Sequence, residues 1–329
     1  MGRLSSWLLK APVGGVWPTA DKCILLILKI FYLGVKGIFW IFLGKKRTRQ
    51  EENHSYTLMK IRSITNISPS LSSFRCLYKV RKTLGFSNIP LVKISVPKYG
   101  YRVYCPIDIN KDDFSNMTVR EEEIIEHFRP SRGDIVVDIG AHIGRYTLIA
   151  AKRVSLNGKV IAIEANPDNF EMLNRNVKLN QLSNVMSLNY AVYSQETKIK
   201  LYLAGGGLGQ TIYNTIMVER AKEGKEKFVE INANTLDHLM QLQGISEVNW
   251  IKIDVEGAEL EVLKGAVNII SRSKDISLLI EIHNLTGSNS TLYEPITQFL
   301  SLHNFKIDFE KTYDSGEKHV IARKQQQQQ

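Results

Sequence analysis

Cysteine is scarce in this chain of 329 residues, which contains only Cys23, Cys76 and Cys105. Their odd number and uneven spacing exclude a disulfide framework and a C-x-x-C metal pair. So few cysteines suit a reducing compartment. The remaining composition, 43% hydrophobic and 23% charged, is that of a globular protein and excludes a fibrous or wholly disordered chain.

The larger part of the chain, residues 103–329, has no excess of positive charge. Residues 1–102 hold 18 Lys and Arg against 3 Asp and Glu, whereas the later residues hold 25 against 30. A basic face for nucleic acid would place the excess in the later part, so we expect no nucleic-acid partner. Basic residues around an apolar N-terminal segment are typical of a membrane-surface anchor, and a solvated basic stretch without a partner is the alternative.

The apolar segment at 23–43 is long enough to cross a bilayer as a helix, although two lysines interrupt it. Lys22, Lys29 and Lys36 are spaced by seven residues and therefore share one stripe of a helix. We expect a membrane anchor that is either transmembrane or interfacial, with a buried helix of a soluble protein as the third reading. A run of this length is not a signal peptide.

A cluster of basic residues follows the apolar segment directly, at positions 45–49. If the segment spans the membrane, this cluster places the rest of the chain in the cytoplasm. The expected localisation is therefore membrane-associated with a cytoplasmic domain, and the alternative is a soluble cytoplasmic protein. The chain divides by composition into a short N-terminal segment (1–22), the apolar helix (23–43), a basic linker (44–90), a folded domain (91–324) and a glutamine tail (325–329).

Short strand patterns alternate with helical patterns throughout the folded domain, after a lead-in hairpin that begins near Leu91. The clearest strands are Asp134–Gly140, Lys159–Ile163, Trp250–Val255 and Leu278–Ile282. The clearest helices are Ala141–Arg153, Pro167–Asn180, Glu259–Ser271 and Pro295–Leu302. This alternation predicts an α/β fold with a doubly wound, mostly parallel sheet that is covered by helices on both faces.

A glycine-containing turn follows the first of these strands in the segment D-I-G-A-H-I-G. Asp138, Gly140 and Gly144 belong to this turn, and Glu164 ends the next strand. Glycines let a ligand approach the backbone, and an acid at the second strand end can accept hydrogen bonds from ribose hydroxyls. The G-x-G-x-x-G pattern of nicotinamide enzymes is missing. Asp138 instead suits the cationic groups of S-adenosylmethionine, while a purely structural turn with a surface acid is the alternative.

Charged residues also gather at the ends of two later strands. Lys252, Asp254 and Glu256 alternate along the segment W-I-K-I-D-V-E-G, and Glu281 and His283 alternate along L-L-I-E-I-H. Charges in central strands are costly unless they are paired or functional. The carboxyl ends of parallel strands form the edge where doubly wound sheets bind ligands, so we expect a site there. Satisfied salt bridges at strand ends are the alternative.

The ordered series VVDIGAHIGRYT, IEANP, NWIKIDVEGAE and IEIH resembles the FkbM-type methyltransferases. The resemblance runs from about Tyr101 to His283 and implies a class I methyltransferase fold with a seven-stranded sheet. It further implies S-adenosylmethionine as methyl donor and O-methylation of sugars or related hydroxylated metabolites. The cofactor residues implied by motif position are Asp138, Gly140, Gly144 and Glu164. The acceptor-facing residues implied in the same way are Asp254, Glu256, Glu281 and His283.

Arg145 departs from the family pattern, in which an aromatic or apolar residue is expected, and it could alter the mouth of the cofactor pocket. His283 is the first candidate base for an acceptor hydroxyl, because its ordinary pKa lies near neutral pH, and Asp254 is the second. Asp254 and Glu281 could alternatively hold a divalent cation, although nothing in the sequence requires a metal. The membrane anchor favours a membrane-associated acceptor such as a lipid-linked glycan. A nicotinamide-dependent enzyme and a membrane-tethered, non-catalytic cofactor-binding protein are the competing readings.

Overall fold

The structure is a computed structural model that describes residues 91–106, 121–203, 227–283, 292–314 and 316–325. Twelve strands and seven α-helices lie within these ranges. The strands are β1 (Leu91–Val96), β2 (Tyr101–Pro106), β3 (Ile135–Ile139), β4 (Lys159–Ile163), β5 (Val185–Leu188), β6 (Ala191–Val192), β7 (Thr197–Leu203), β8 (Lys227–Asn234), β9 (Trp250–Ile253), β10 (Ser277–Ile282), β11 (Phe305–Thr312) and β12 (Lys318–Lys324). The helices are α1 (Glu122–His127), α2 (Arg145–Val154), α3 (Pro167–Leu179), α4 (Leu236–Leu242), α5 (Glu259–Lys264), α6 (Val267–Arg272) and α7 (Tyr293–Leu302).

A seven-stranded sheet forms the centre, in the order β11-β12-β10-β9-β3-β4-β5. The pairs from β10 through β9, β3 and β4 to β5 are all parallel. β12 pairs antiparallel with both β10 and β11. The predicted doubly wound, mostly parallel sheet is confirmed, and the lead-in hairpin is present as the antiparallel pair β1 and β2.

The two central strands are apolar because both of their faces are covered. Val136 and Val137 in β3, and Ile251 and Ile253 in β9, have no measurable solvent exposure. Continuous β-branched runs of this kind are typical of buried parallel strands, which explains why the sequence pattern located them well. Lys252 interrupts the apolar run of β9, and its position next to Asp138 of β3 in the strand register is the first sign of a functional site.

The chain reverses its winding direction between β3 and β9. It proceeds from β3 outward to β4 and β5, and later returns to the other side of β3 as β9. The loops that leave β3 and β9 therefore diverge to opposite faces of the sheet. Such a switch point opens a crevice at the carboxyl ends of the strands, which is where doubly wound folds bind their ligands.

One predicted helix is divided in the structure. The pattern Glu259–Ser271 predicted a single helix, but α5 ends at Lys264 and α6 begins at Val267. A Cβ atom on Gly265 would lie 2.1 Å from the carbonyl oxygen of Tyr193, so the backbone there packs too closely for any other residue. The break thus results from tertiary packing that the helical periodicity does not reveal.

The N-terminal predictions lie outside the described residues. These predictions concern the segments 1–22, 23–43 and 44–90. Most of the glutamine tail at the C-terminus also lies outside the described residues. The apolar helix and the membrane anchor therefore stay predictions. Within the part of the chain that the structure describes, no helix is both long enough and apolar enough to cross a membrane.

Candidate active site

The turn after β3 brings the backbone of two loops into direct contact. Gly140 has a φ of +75°, and a Cβ atom on it would lie 1.8 Å from the carbonyl oxygen of Asp254. Gly144 has a φ of +104° and stands immediately before α2. Only glycine fits the first position, because a side chain would collide with backbone that cannot move independently. The predicted helix Ala141–Arg153 consequently begins four residues later, at Arg145.

Glu164 ends β4 beside this turn and is nearly fully buried. Its carboxylate accepts hydrogen bonds from the backbone N–H of His142 at 2.7 Å and of Asn166 at 2.9 Å. Burial raises the pKa of Glu164 to about 7, although these two hydrogen bonds act in the opposite direction. A carboxylate offers about four lone-pair sites, so it keeps capacity to accept a hydroxyl hydrogen. The glycine turn and this carboxylate therefore fit the ribose of a nucleoside cofactor.

Asp138 lies beneath the turn and is 1% exposed. Its Oδ2 accepts a hydrogen bond from the Thr147 hydroxyl at 2.6 Å, and its Oδ1 lies 3.6 Å from the Lys252 ammonium. Oδ1 accepts no hydrogen bond from the described residues. Asp138 thus supports the turn through its contacts with Thr147 and Lys252. Its predicted contact with the cofactor stays a prediction.

Lys252 connects the turn to the second group of charged residues. It is 5% exposed and donates to the Gly140 carbonyl at 3.2 Å and to Asp254 Oδ2 at 3.0 Å. Burial would lower the pKa of Lys252, but Asp254 and Asp138 raise it above its usual value. The lysine therefore stays cationic and offsets the charges of the buried Asp138 and the half-buried Asp254.

His283 follows β10 directly and is 2% exposed. Its Nδ1 lies 2.7 Å from Oε1 of the fully buried Glu259. Its Nε2 lies 3.4 Å from Glu256, 3.8 Å from Glu281 and 4.0 Å from Asp254. The structure thus brings all four predicted acceptor-facing residues together around one imidazole ring.

The carboxylates determine the charge of this ring. Burial would lower the pKa of His283, but Glu256 and Glu259 raise it well above the usual value. The pKa of Glu281 is also displaced: burial would raise it, but His319 and His283 lower it. These carboxylates therefore favour the protonated form of the imidazole in the ligand-free protein.

Strand β9 is shorter than predicted, and this changes how Glu256 reaches the site. The strand ends at Ile253, so the alternation of side chains does not extend to Asp254 and Glu256. Glu256 instead has a φ of +55°, within a tight turn that leads into α5. Its carboxylate joins the others through this turn and not through the period of two that the sequence suggested.

Three further residues that the sequence reasoning did not select support the site. Glu259 holds His283, and His319 Nε2 lies 3.2 Å from Glu281 Oε2. Glu121 Oε2 accepts a hydrogen bond from the Tyr146 hydroxyl at 3.0 Å. Glu259 belongs to the D-V-E-G-A-E segment and could have been found there. His319 stands opposite Glu281 on the antiparallel strand β12, and no sequence pattern reveals such a register.

Arg145 also has a structural position that its departure from the family pattern did not reveal. Its guanidinium lies 3.6 Å from Glu121, and its side chain is 10% exposed. Arg145 therefore packs at the start of α2 beside the carboxylate of Glu121. The sequence-based expectation that it alters the mouth of the cofactor pocket stays a prediction.

Binding of S-adenosylhomocysteine is expected to weaken as the pH falls below about 7, the pKa of Glu164. Protonation removes acceptor capacity that the ribose hydroxyls need, so affinity should drop about tenfold between pH 8 and pH 6. Calorimetric titration at several pH values measures this change. Glu164→Gln should bind weakly with no such pH dependence. An unchanged slope in that variant would show that another group controls binding.

Comparison with known proteins gives a consistent assignment. The methyltransferase FkbM domain family matches residues 138–307, which is more than half of the chain. Methyltransferase sdnD of Sordaria araneosa is 31% identical over 154 residues, covering 40% of this chain and 59% of that protein. The hexuronic acid methyltransferase AglP of Haloferax volcanii is 28% identical over 195 residues, covering 58% of this chain and 71% of that protein.

Solved structures include more distant neighbours. The FkbM methyltransferase of Methylobacillus flagellatus is 19% identical, with a TM-score of 0.42, and the alignment covers 59% of this chain and 44% of that one. TYW2 of M. jannaschii in complex with AdoMet is 16% identical, with a TM-score of 0.39, and the alignment covers 71% and 91% of the two chains. The family match excludes the nicotinamide-dependent reading. The chain belongs to the FkbM methyltransferase family, and S-adenosylmethionine is its cofactor.

Proposed function

We propose that the chain is an O-methyltransferase that acts on a hydroxyl of a sugar, a glycan or a lipid-linked glycan. The contact between Gly140 and the Asp254 carbonyl supports this proposal most directly. It joins the cofactor turn to an aspartate whose carboxylate faces His283. A donor held at the turn and an acceptor held by these acids would therefore meet at one place. The similarity to a hexuronic acid methyltransferase supports a sugar as the acceptor.

The chemistry of the acceptor determines the roles of the charged residues. When bound, S-adenosylmethionine supplies the methyl group as a cation equivalent and leaves as a neutral thioether. The acceptor hydroxyl must lose its proton as its oxygen attacks, and it must be aligned with the methyl carbon. Because the His283 ring is already protonated, the proton acceptor is one of the carboxylates, Asp254 or Glu256. His283 then orients these carboxylates and offsets their charge.

The position of the transferred methyl group tests the proposal. The full-length chain would be incubated with methyl-labelled cofactor and separate pools of neutral sugars, hexuronic acids and amino sugars. Expected products carry the label as a methyl ether, which nuclear magnetic resonance distinguishes from a methyl ester or an N-methyl group. Label found on nitrogen or on a carboxyl group would contradict O-methylation. Cofactor binding without a product from any pool would favour the non-catalytic alternative.

The membrane proposal depends on the sequence of residues 23–43 and on the basic cluster that follows them. It places the chain at a membrane with its enzymatic domain in the cytoplasm, where a lipid-linked acceptor would be available. Expression of the full chain, followed by an alkaline carbonate wash of the membranes, tests it. A spanning helix should keep the chain in the membrane pellet, whereas an interfacial helix should release it. Recovery of the chain entirely outside the membrane fraction before the wash would overturn both forms.

A further inference from the structure

We infer that His283, Asp254 and Glu281 form a binding site for one divalent transition-metal cation. One atom of each residue belongs to the group, and these atoms all lie within 4.8 Å of one another. Nε2 of His283 lies 4.0 Å from Oδ1 of Asp254 and 3.8 Å from Oε1 of Glu281. Both distances exceed the range of a normal hydrogen bond, which is about 2.7–3.2 Å. The three atoms thus face a common point without bonding to each other.

The other atoms of the same three side chains are each held by an outer partner. His283 Nδ1 is held by Glu259 at 2.7 Å, and Asp254 Oδ2 by Lys252 at 3.0 Å. Glu281 Oε2 is held by His319 at 3.2 Å. Metal-binding histidines and carboxylates are usually fixed in this way, because the outer partner sets the tautomer and the orientation of the ligand atom.

The buried imidazole is independent support for a ligand at this point. His283 is 2% exposed, and a buried ring normally uses both of its nitrogens. Its Nε2 lies among three carboxylates, of which Glu256 at 3.4 Å is the nearest. Glu259 is itself fixed by the backbone N–H of Gly257 at 2.9 Å, so the ring is held in a single orientation. A cation that binds here would displace the proton from Nε2 and take its place among the carboxylates.

A second group of similar composition fits a cation less well. Glu121, Glu281 and His319 also have ligand atoms within 4.8 Å of one another. In that group, however, His319 Nε2 and Glu281 Oε2 already lie 3.2 Å apart, so the two atoms satisfy one another. His319 is therefore a positioning residue for Glu281, and the cation belongs on the His283 side.

The ligand atoms indicate which cation binds. One imidazole nitrogen and two carboxylate oxygens form a borderline set, which suits Mn²⁺, Fe²⁺ or Zn²⁺ better than the all-oxygen environment that Mg²⁺ prefers. Without a thiolate, the set does not favour Cu⁺. Mn²⁺ is the useful probe, since it is paramagnetic and fits both ligand types.

The role of the cation in catalysis, unlike its binding, rests on the proposed O-methyl transfer. A cation at this point would hold the acceptor hydroxyl and lower its pKa. The hydroxyl proton would pass to the carboxylate of Glu256, which lies 3.4 Å from Nε2 of His283. The oxygen–methyl bond would form as the sulfur–methyl bond breaks.

Mn²⁺ binding to the full-length chain tests the inference without any measurement of activity. After treatment with a chelator and its removal, the chain would be titrated with Mn²⁺ while the electron paramagnetic resonance signal of the free ion is recorded. One ion per chain should bind, and pulsed spectra should show coupling to an imidazole nitrogen. Asp254→Asn and Glu281→Gln should each weaken binding at least tenfold. Glu196→Gln, which changes an exposed carboxylate just before β7, should bind as the parent does.

The possible outcomes separate this inference from the proposed function. Absence of stoichiometric binding by the parent chain, or equal affinity in the two ligand variants, would overturn the cation site. S-adenosylhomocysteine titration of each variant shows whether it is folded, so a lost fold is not mistaken for a lost ligand. If methyl transfer persists after chelation and the chain binds no Mn²⁺, the cation site is overturned and the proposed O-methyltransferase activity stands. Specific Mn²⁺ binding without transfer to any hydroxyl would support the site and contradict the proposed function.

Discussion

Asp254→Asn is expected to reduce the rate of methyl transfer by about 10²–10⁴-fold, the usual contribution of a positioned acid or base. The amide can still accept the hydrogen bond from Lys252, so the local packing is kept. It cannot accept a proton, and it no longer offsets the charge on His283, whose Nε2 lies 4.0 Å away. The affinity for S-adenosylhomocysteine should change little, because the Asp254 carbonyl that contacts Gly140 is unaltered. Initial rates and calorimetric titration measure the two quantities.

Asp275→Asn is the matched control for this variant. Asp275 is exposed just before β10, at the opposite end of the sheet from the site. The same chemical change there should leave both the rate and the cofactor affinity at the parent values. If Asp254→Asn kept the parent rate, or if it lost cofactor affinity as severely as it lost rate, the proposed role of Asp254 at the acceptor would be wrong.

Gly140→Ala is expected to destabilise the folded chain by about 2–5 kcal/mol. Left-handed backbone costs about 1–2 kcal/mol for a residue with a Cβ atom, and the overpacking adds about 1–3 kcal/mol. The added Cβ would lie 1.8 Å from the Asp254 carbonyl oxygen, so β3 and β9 would have to separate at their ends. Thermal unfolding should occur about 10 °C lower. Cofactor affinity should fall as well, since this turn is the predicted donor site.

Gly244→Ala separates backbone strain from collision. Gly244 has a similar φ of +66°, but a Cβ atom on it would meet nothing within 4 Å. The substitution should therefore cost only about 1 kcal/mol and leave cofactor binding unchanged. Equal losses of stability in the two variants would mean that the close contact between Gly140 and Asp254 adds nothing to the cost of the substitution.

The central strands were predictable because burial on both faces leaves a continuous apolar run in the sequence. The prediction of Lys159–Ile163 agrees with β4 at both ends, and that of Leu278–Ile282 differs from β10 by one residue. The helix α4 was not predicted. It has seven residues and begins at a Thr235 cap, which is too short for a helical period to stand out from a loop.

The site was predictable to the extent that strand ends determine it. Asp254, Glu256, Glu281 and His283 lie at or just after the ends of two neighbouring parallel strands, and the structure brings them together around the imidazole. The charge of that ring could not be predicted. It depends on the distance to Glu259, which reaches His283 from the first turn of α5 and not from a strand. Tertiary distances of this kind leave no periodic trace in the sequence.

The contact between Gly140 and the Asp254 carbonyl has a thermodynamic consequence for the two substrates. A turn that moves when the donor binds must move Asp254 with it, because no space separates the two backbones. If the donor binds at this turn and the acceptor at Asp254, as proposed, the two bind to a shared element, and any change that one makes to the affinity of the other is reciprocal and equal in size. A donor that positions the aspartate would tighten acceptor binding by the same factor by which the acceptor tightens donor binding.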